Sequence, residues 1–219
     1  MEAAGRSLEL FKGRSADSPL VVLNTVHGEG RAVHEAVKKV TDADFSMVAV
    51  GGLDWNRDMA PWDAPPVYGD EPFVGGADEY LDALLSEIIP AAKEGLSAEP
   101  VRTVIAGYSL GGLFAVYSLF RTDVFSTAVS GSGSFWFPGF LDYVRENTTK
   151  GRTERLYLSL GDKESKTKNP VTRTVQSSTE EIAGIFSSRG TDTVFELNPG
   201  NHFQDPAGRM AKGIAWAIR

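Results

Sequence analysis

Val101–Tyr108 (VRTVIAGY) and Ser109–Arg121 (SLGGLFAVYSLFR) decide how this chain is read. The first stretch is an almost unbroken apolar run rich in β-branched residues, as expected of a strand covered on both faces. The second is expected to be helical. At their junction stands Gly107-Tyr108-Ser109-Leu110-Gly111-Gly112, a Gly-x-Ser-x-Gly pattern. The pattern alone is weak, and a strand before it with a helix after it gives it meaning. The chain must turn sharply there, with Ser109 in a strained conformation at the bend. A side chain at 107 or 111 would collide with the neighbouring strand or helix, which explains both glycines. The Ser109 hydroxyl then projects at a helix N-terminus, where the N–H of Leu110 faces any developing oxyanion. The bland reading is an inert serine in a Gly-rich turn.

Outward from this junction, short apolar runs alternate with amphipathic segments. Strands are expected at Leu20–Thr25, Phe45–Val50, Thr127–Ser130, Arg155–Leu160 and Thr193–Leu197. Helices are expected at Arg31–Val40, Asp78–Glu94, Phe140–Arg145, Val171–Arg189 and Pro206–Ile218. Gly51–Gly76, rich in Gly, Pro, Trp and Asp, reads as a loop region. Such alternation implies a mostly parallel sheet with helices on both faces. At 219 residues without a linker or repeat, a single α/β domain over 1–219 is expected, compact and without a large lid.

A formal net charge of -7 argues against a nucleic-acid or anionic-membrane partner. With no cysteine, zinc–thiolate sites and a Cys nucleophile are excluded. The first residues lack the basic start and apolar core of a secretion signal, and no apolar run approaches a membrane span. The expectation is a cytoplasmic protein with neither cofactor nor metal.

A serine hydroxyl needs a general base within hydrogen-bond reach. Of three histidines (His27, His34 and His202), only His202 follows Ser109, as the order Ser, acid, His of an α/β-hydrolase fold requires. It lies just past the last expected strand, and sites assemble at the carboxyl ends of strands. The acid belongs after Arg155–Leu160, where Asp162 and Glu164 are both available. The second oxyanion donor belongs in the loop Val26-His27-Gly28-Glu29-Gly30, with the N–H of Glu29 proposed and that of Gly28 as the alternative. His27 reads as a structural loop residue, and His34 as facing solvent or packing on the first helix.

The chain resembles an esterase family of α/β hydrolases that includes esterase D, the siderophore trilactone esterases, feruloyl esterase domains and the mycolyltransferases. The likeness rests on His27-Gly28, Asn56–Trp62 (with the family's Arg-Asp-x-x-Pro at Arg57–Pro61), Tyr80–Pro90, Gly107–Gly112 and Gly131–Trp136. It implies hydrolysis of a small-molecule carboxylic ester through an acyl-enzyme, with Ser109, His202 and a carboxylate in 162–164. Glu164 fits relatives, which place a carboxylate three residues past the glycine. The likeness also carries the oxyanion donors to Glu29 and Leu110. Relatives often have Asp-Gly where this chain has His27-Gly28, and only Ser7–Lys12 is available for early antiparallel strands.

Aromatics gather in the two loop regions flanking the expected site, and Trp62 and Trp136 are candidates for substrate contact. The alternative is plain anchoring in the core. Arg57 would bind an anionic substrate, or else pair with Asp58 or Asp54. Two other functions stay open: an acyltransferase using the same acyl-enzyme, separable by product analysis, and a non-catalytic binding module on the same scaffold. Oligomeric state is not readable.

Overall fold

A computed structural model describes residues 1–15 and 18–219. Eight strands form one sheet: β1 (Glu2–Ala3), β2 (Arg6–Phe11), β3 (Leu20–Asn24), β4 (Ser46–Gly51), β5 (Thr103–Tyr108), β6 (Thr127–Gly131), β7 (Arg155–Gly161) and β8 (Asp192–Asn198). Their order is β1-β2-β4-β3-β5-β6-β7-β8. β1 and β2 are antiparallel additions at one edge, and β4 through β8 run parallel. The helices are α1 (Gly30–Val40), α2 (Trp55–Asp58), α3 (Ala77–Ala83), α4 (Ile89–Glu94), α5 (Leu110–Arg121), α6 (Phe140–Glu146), α7 (Val175–Ser188) and α8 (Pro206–Ala217).

The inner strands are apolar on both faces because both are covered. Val21 and Leu23 of β3 and Val104 and Ala106 of β5 pack under α1 and α8. Leu20, Val22 and Ile105 point the other way, against α3 to α7. In α5, Leu110 through Phe120 are all buried, so this helix has no solvent face. After β3 the chain crosses to β4 on one side; β5 then returns to the other flank of β3. That reversal opens a crevice at the carboxyl ends of β3 and β5, the usual ligand position in such sheets. Ser109 and the loop 25–29 sit at its two sides.

The helix expected over Asp78–Glu94 begins at Ala77 and is interrupted by a π turn over Leu84–Ile88. Pro90, inside the run, has no N–H to donate and its ring crowds the carbonyl four residues back, so the helix widens ahead of it. The expected loop 51–76 contains α2 and a bridge between Ala64 and Phe73. At the sheet's edge, Arg6 of β2 reaches this loop: its guanidinium lies 2.5 Å from Asp58 and also donates to the Gly52 carbonyl at 2.8 Å. Burial pushes the Asp58 carboxyl up, against the pull of Arg6 and the Asp54 N–H. Among the described residues, no helix is long and apolar enough to cross a membrane.

Candidate active site

Ser109 has φ 57° and ψ -124°, a conformation non-glycine residues avoid at a cost of about 1–3 kcal/mol. The glycines around it make the bend sterically feasible. A Cβ at Gly107 would lie 2.3 Å from the Gly111 carbonyl oxygen, and one at Gly111 would lie 3.0 Å from the indole of Trp55. The bend is tied to β6 by the Ser109 N–H, which donates to the Gly131 carbonyl at 3.0 Å. Leu110 opens α5, so its N–H has no acceptor inside the helix. Glu29 directly precedes α1 and lines the cleft that Ser109 also lines.

His202 follows β8 and Glu164 follows β7. Ser109 Oγ is 3.2 Å from His202 Nε2, and His202 Nδ1 is 2.8 Å from Glu164 Oε2. An ionised carboxylate only accepts, so Nδ1 carries the proton and Nε2 is free to accept one from Ser109. Asp162, the other carboxylate in reach by sequence, instead accepts from the Gly200 N–H at 2.8 Å and so ties down the loop that carries His202. The loops after β7 and β8 press so closely that a Cβ at Gly161 would lie 2.3 Å from the Gly200 carbonyl oxygen.

The second oxygen of Glu164 is fully engaged. Oε1 accepts from Ser132 Oγ at 2.7 Å, the Gly161 N–H at 2.6 Å and Arg209 Nη1 at 3.0 Å. Burial pushes this carboxyl up, but the hydrogen bonds from His202, Ser132 and Gly161 outweigh it and hold it below the ordinary carboxylate range. Arg209, in the first turn of α8, is only 2% exposed. Its guanidinium also donates to Tyr108 Oη, to Ser132 Oγ, and to the carbonyls of Pro199 and Asn201 beside His202. Tyr108 in turn donates to the His202 carbonyl at 2.6 Å. Ser134 Oγ lies 3.3 Å from Ser109 Oγ. Sequence reasoning missed Arg209, Ser132, Tyr108 and Ser134. A lone arginine among the apolar positions of α8 was the one available signal for Arg209, and it does not name a partner.

Two clefts meet at the Ser109–His202 pair. One, about 400 Å³, is walled by Val26, Val33, Trp55, Ala207 and Met210. The other is larger and carries Lys163, Lys166, Trp136 and Tyr68. Trp136 thus lines the larger cleft with Ser109, whereas Arg57 and Trp62 line neither cleft. The Arg57 guanidinium is taken up by Glu79 and Asp58. The Trp62 indole donates to the Pro138 carbonyl at 2.9 Å and packs among Tyr117, Phe137, Phe140 and Tyr143. Both are scaffold: the Arg57-Asp58 pair spends its charges on neighbours, and Trp62 anchors a loop. His34 stacks on Phe11, away from Ser109, and burial lowers its basicity.

Residues 23–205 match the family model described as "Putative esterase". The chain belongs to this esterase family. Among curated relatives, ferri-bacillibactin esterase BesA of Bacillus subtilis (strain 168) is 25% identical over 217 residues, covering 95% of this chain and 72% of BesA. YbbA of the same organism is 25% identical over 150 residues, 66% of this chain and 60% of YbbA. Among solved structures, siderophore hydrolase EstB from Aspergillus nidulans superposes with TM-score 0.75 at 21% identity, covering 97% of this chain and 89% of EstB. Enterobactin esterase Fes from Shigella flexneri, solved in the presence of enterobactin, gives TM-score 0.72 at 20% identity, covering 97% of this chain and 54% of Fes. The esterase-family sheet is thus shared with both, while identities this low speak to the fold alone.

Proposed function

We propose that this protein hydrolyses a carboxylic ester through an acyl-enzyme on Ser109. The observation that carries the proposal is the unbroken hydrogen-bonded row from Glu164 through His202 to Ser109. In the first half-reaction His202 Nε2 takes the Ser109 proton as Oγ attacks the ester carbonyl. The resulting oxyanion is met by the N–H of Leu110, aided by the positive end of α5, and by the N–H of Glu29. The imidazolium then hands its proton to the departing alkoxide. In the second half-reaction a water takes the place of the alcohol, with His202 again the base, and the acid is released. Glu164 stabilises the imidazolium and fixes its tautomer. Arg209 acts as a positioning residue, holding Glu164 with one arm and the carbonyls of Pro199 and Asn201, just ahead of His202, with the other.

BesA, Fes and EstB are named for siderophore substrates, which points to a siderophore-type ester for this chain. Here Lys163 and Lys166, neither in an ion pair among the described residues, stand with Trp136 and Tyr68 in the larger cleft and suit an ester arm bearing an anionic aromatic group. The test is treatment with a fluorophosphonate followed by peptide mass analysis, beside a panel of neutral and catecholate esters. An adduct on Ser109 and cleavage of at least one ester are expected. Adduct formation elsewhere, with no ester cleaved, defeats the proposal.

A further inference from the structure

The larger cleft leaves the smaller one without a task, and the two differ sharply in chemistry. The smaller cleft is formed by Val26, Ala32, Val33, Trp55, Ala207 and Met210, from the loop after β3 and from α1, α2 and α8. No lysine or arginine lines it. At its rim, the Glu29 carboxylate accepts from the His27 N–H at 3.1 Å. Asn24 lines it too; its side-chain Oδ1 accepts from Tyr80 Oη at 2.5 Å, while its buried Nδ2 has no partner among the described residues. At about 400 Å³ the space lies within the range of small-ligand sites. Val26 is 39% exposed, and Phe203, which stands at the lip shared with the other cleft, is 84% exposed, the most of any large apolar residue among those described. Apolar surface of this kind converging on a nucleophile gains by being covered.

We infer that this apolar cleft is an acyl-binding site for unbranched aliphatic acids, so that medium-chain acyl esters are substrates. The inference rests on the ester-hydrolase reading of Ser109. The carbonyl oxygen must lie between the Leu110 N–H and the 28–29 loop, and that loop walls the apolar cleft but not the cationic one. The acyl chain on the same carbonyl carbon then runs over Trp55 toward Met210, and the alcohol leaves on the Lys163 side. The step balances as an ordinary hydrolysis: the ester C–O bond breaks, water supplies the hydroxyl, and a fatty acid and an alcohol are released.

The test is kcat/KM for p-nitrophenyl esters from acetate to decanoate, with a parallel series of acetates of lengthening aliphatic alcohols. Burying a methylene should raise kcat/KM about fourfold per carbon until the cleft is full, and then the rise should stop. Two fillings of the cleft, Ala32→Trp on the exposed side of α1 and Ala207→Phe at the start of α8, should each lower the hexanoate-to-acetate ratio at least about tenfold, the worth of two buried methylenes. A flat or falling acyl series, a rise in the alcohol series instead, or ratios unmoved by both fillings would overturn the acyl assignment while fluorophosphonate labelling of Ser109 persists. Loss of labelling and of all ester cleavage in the wild-type chain would overturn the hydrolase reading and this one with it.

Discussion

The elbow around Ser109 and the corner around Glu164 hold their side chains by different means. The elbow is local: strand, bend and helix are consecutive, and Gly107 makes room for the backbone of Gly111, which in turn makes room for Trp55. The corner is assembled from distant pieces. Glu164 comes from the loop after β7, His202 from the loop after β8, Ser132 from the end of β6 and Arg209 from α8, and they meet through buried, mostly charged hydrogen bonds. A locally built feature stands or falls with its own few residues. A corner built on a buried cation and carboxylate is sensitive at every member, because removing one leaves the other uncompensated.

The sharpest contrast comes from Ser109→Ala, which should lower ester cleavage by at least about 10³-fold while leaving the urea midpoint nearly unchanged. A retained rate would break the elbow's side of the comparison. Next in size, Glu164→Gln should lower kcat by roughly 10²–10⁴-fold, whereas Asp162→Asn should cost about tenfold or less. Equal, mild losses in steady-state assays would mean that Ser109 and His202 work without the acid. Arg209→Met should destabilise the fold by about 3–5 kcal/mol in urea titrations and lower kcat as well, with Arg209→Lys recovering part of both. If Arg209→Met unfolds at the wild-type midpoint, the corner does not depend on its cation. Tyr108→Phe, which removes one hydroxyl bridging Arg209 and the His202 carbonyl, should cost only about 1 kcal/mol.

The smallest effect is in pH. The Glu164 carboxyl is held below its ordinary value of 4.5, so the stability it contributes is complete above that pH and is lost as pH falls through the depressed folded value. The stability gap between wild type and Glu164→Gln should therefore narrow below about pH 4.5, measured as urea midpoints across the acid range. A gap that stays constant or widens there would show that the hydrogen bonds to Glu164 do not favour its ionised form.

The same contrast explains what was legible in the sequence. Ser109 and the strand and helix beside it were readable because strand pattern, glycine spacing and helix pattern are all local signals. His202 was readable by elimination, since only one histidine follows the elbow. Choosing Glu164 over Asp162 needed the resemblance, because two carboxylates in one short loop differ only in what stands opposite them, and that is a long-range fact. Arg209 and Ser132 were unreadable for the same reason. Arg57 and Trp62 were misplaced because charge and aromaticity in a loop say nothing of direction: Glu79 captures Arg57, and the Pro138 carbonyl captures Trp62. The π turn before Pro90 was hidden because the apolar periodicity of Leu81–Ile89 runs straight through it.

Arg6 grips Asp58, Asp58 ends the helical turn that begins at Trp55, and Trp55 lies over the bend at Gly111. The strands at the sheet's outer edge are thus tied, through Asp58 and Trp55, to a wall of the smaller cleft. A tag fused to β1, or removal of β1 and β2, acts on the Arg6–Asp58 pair and through it on the turn that carries Trp55.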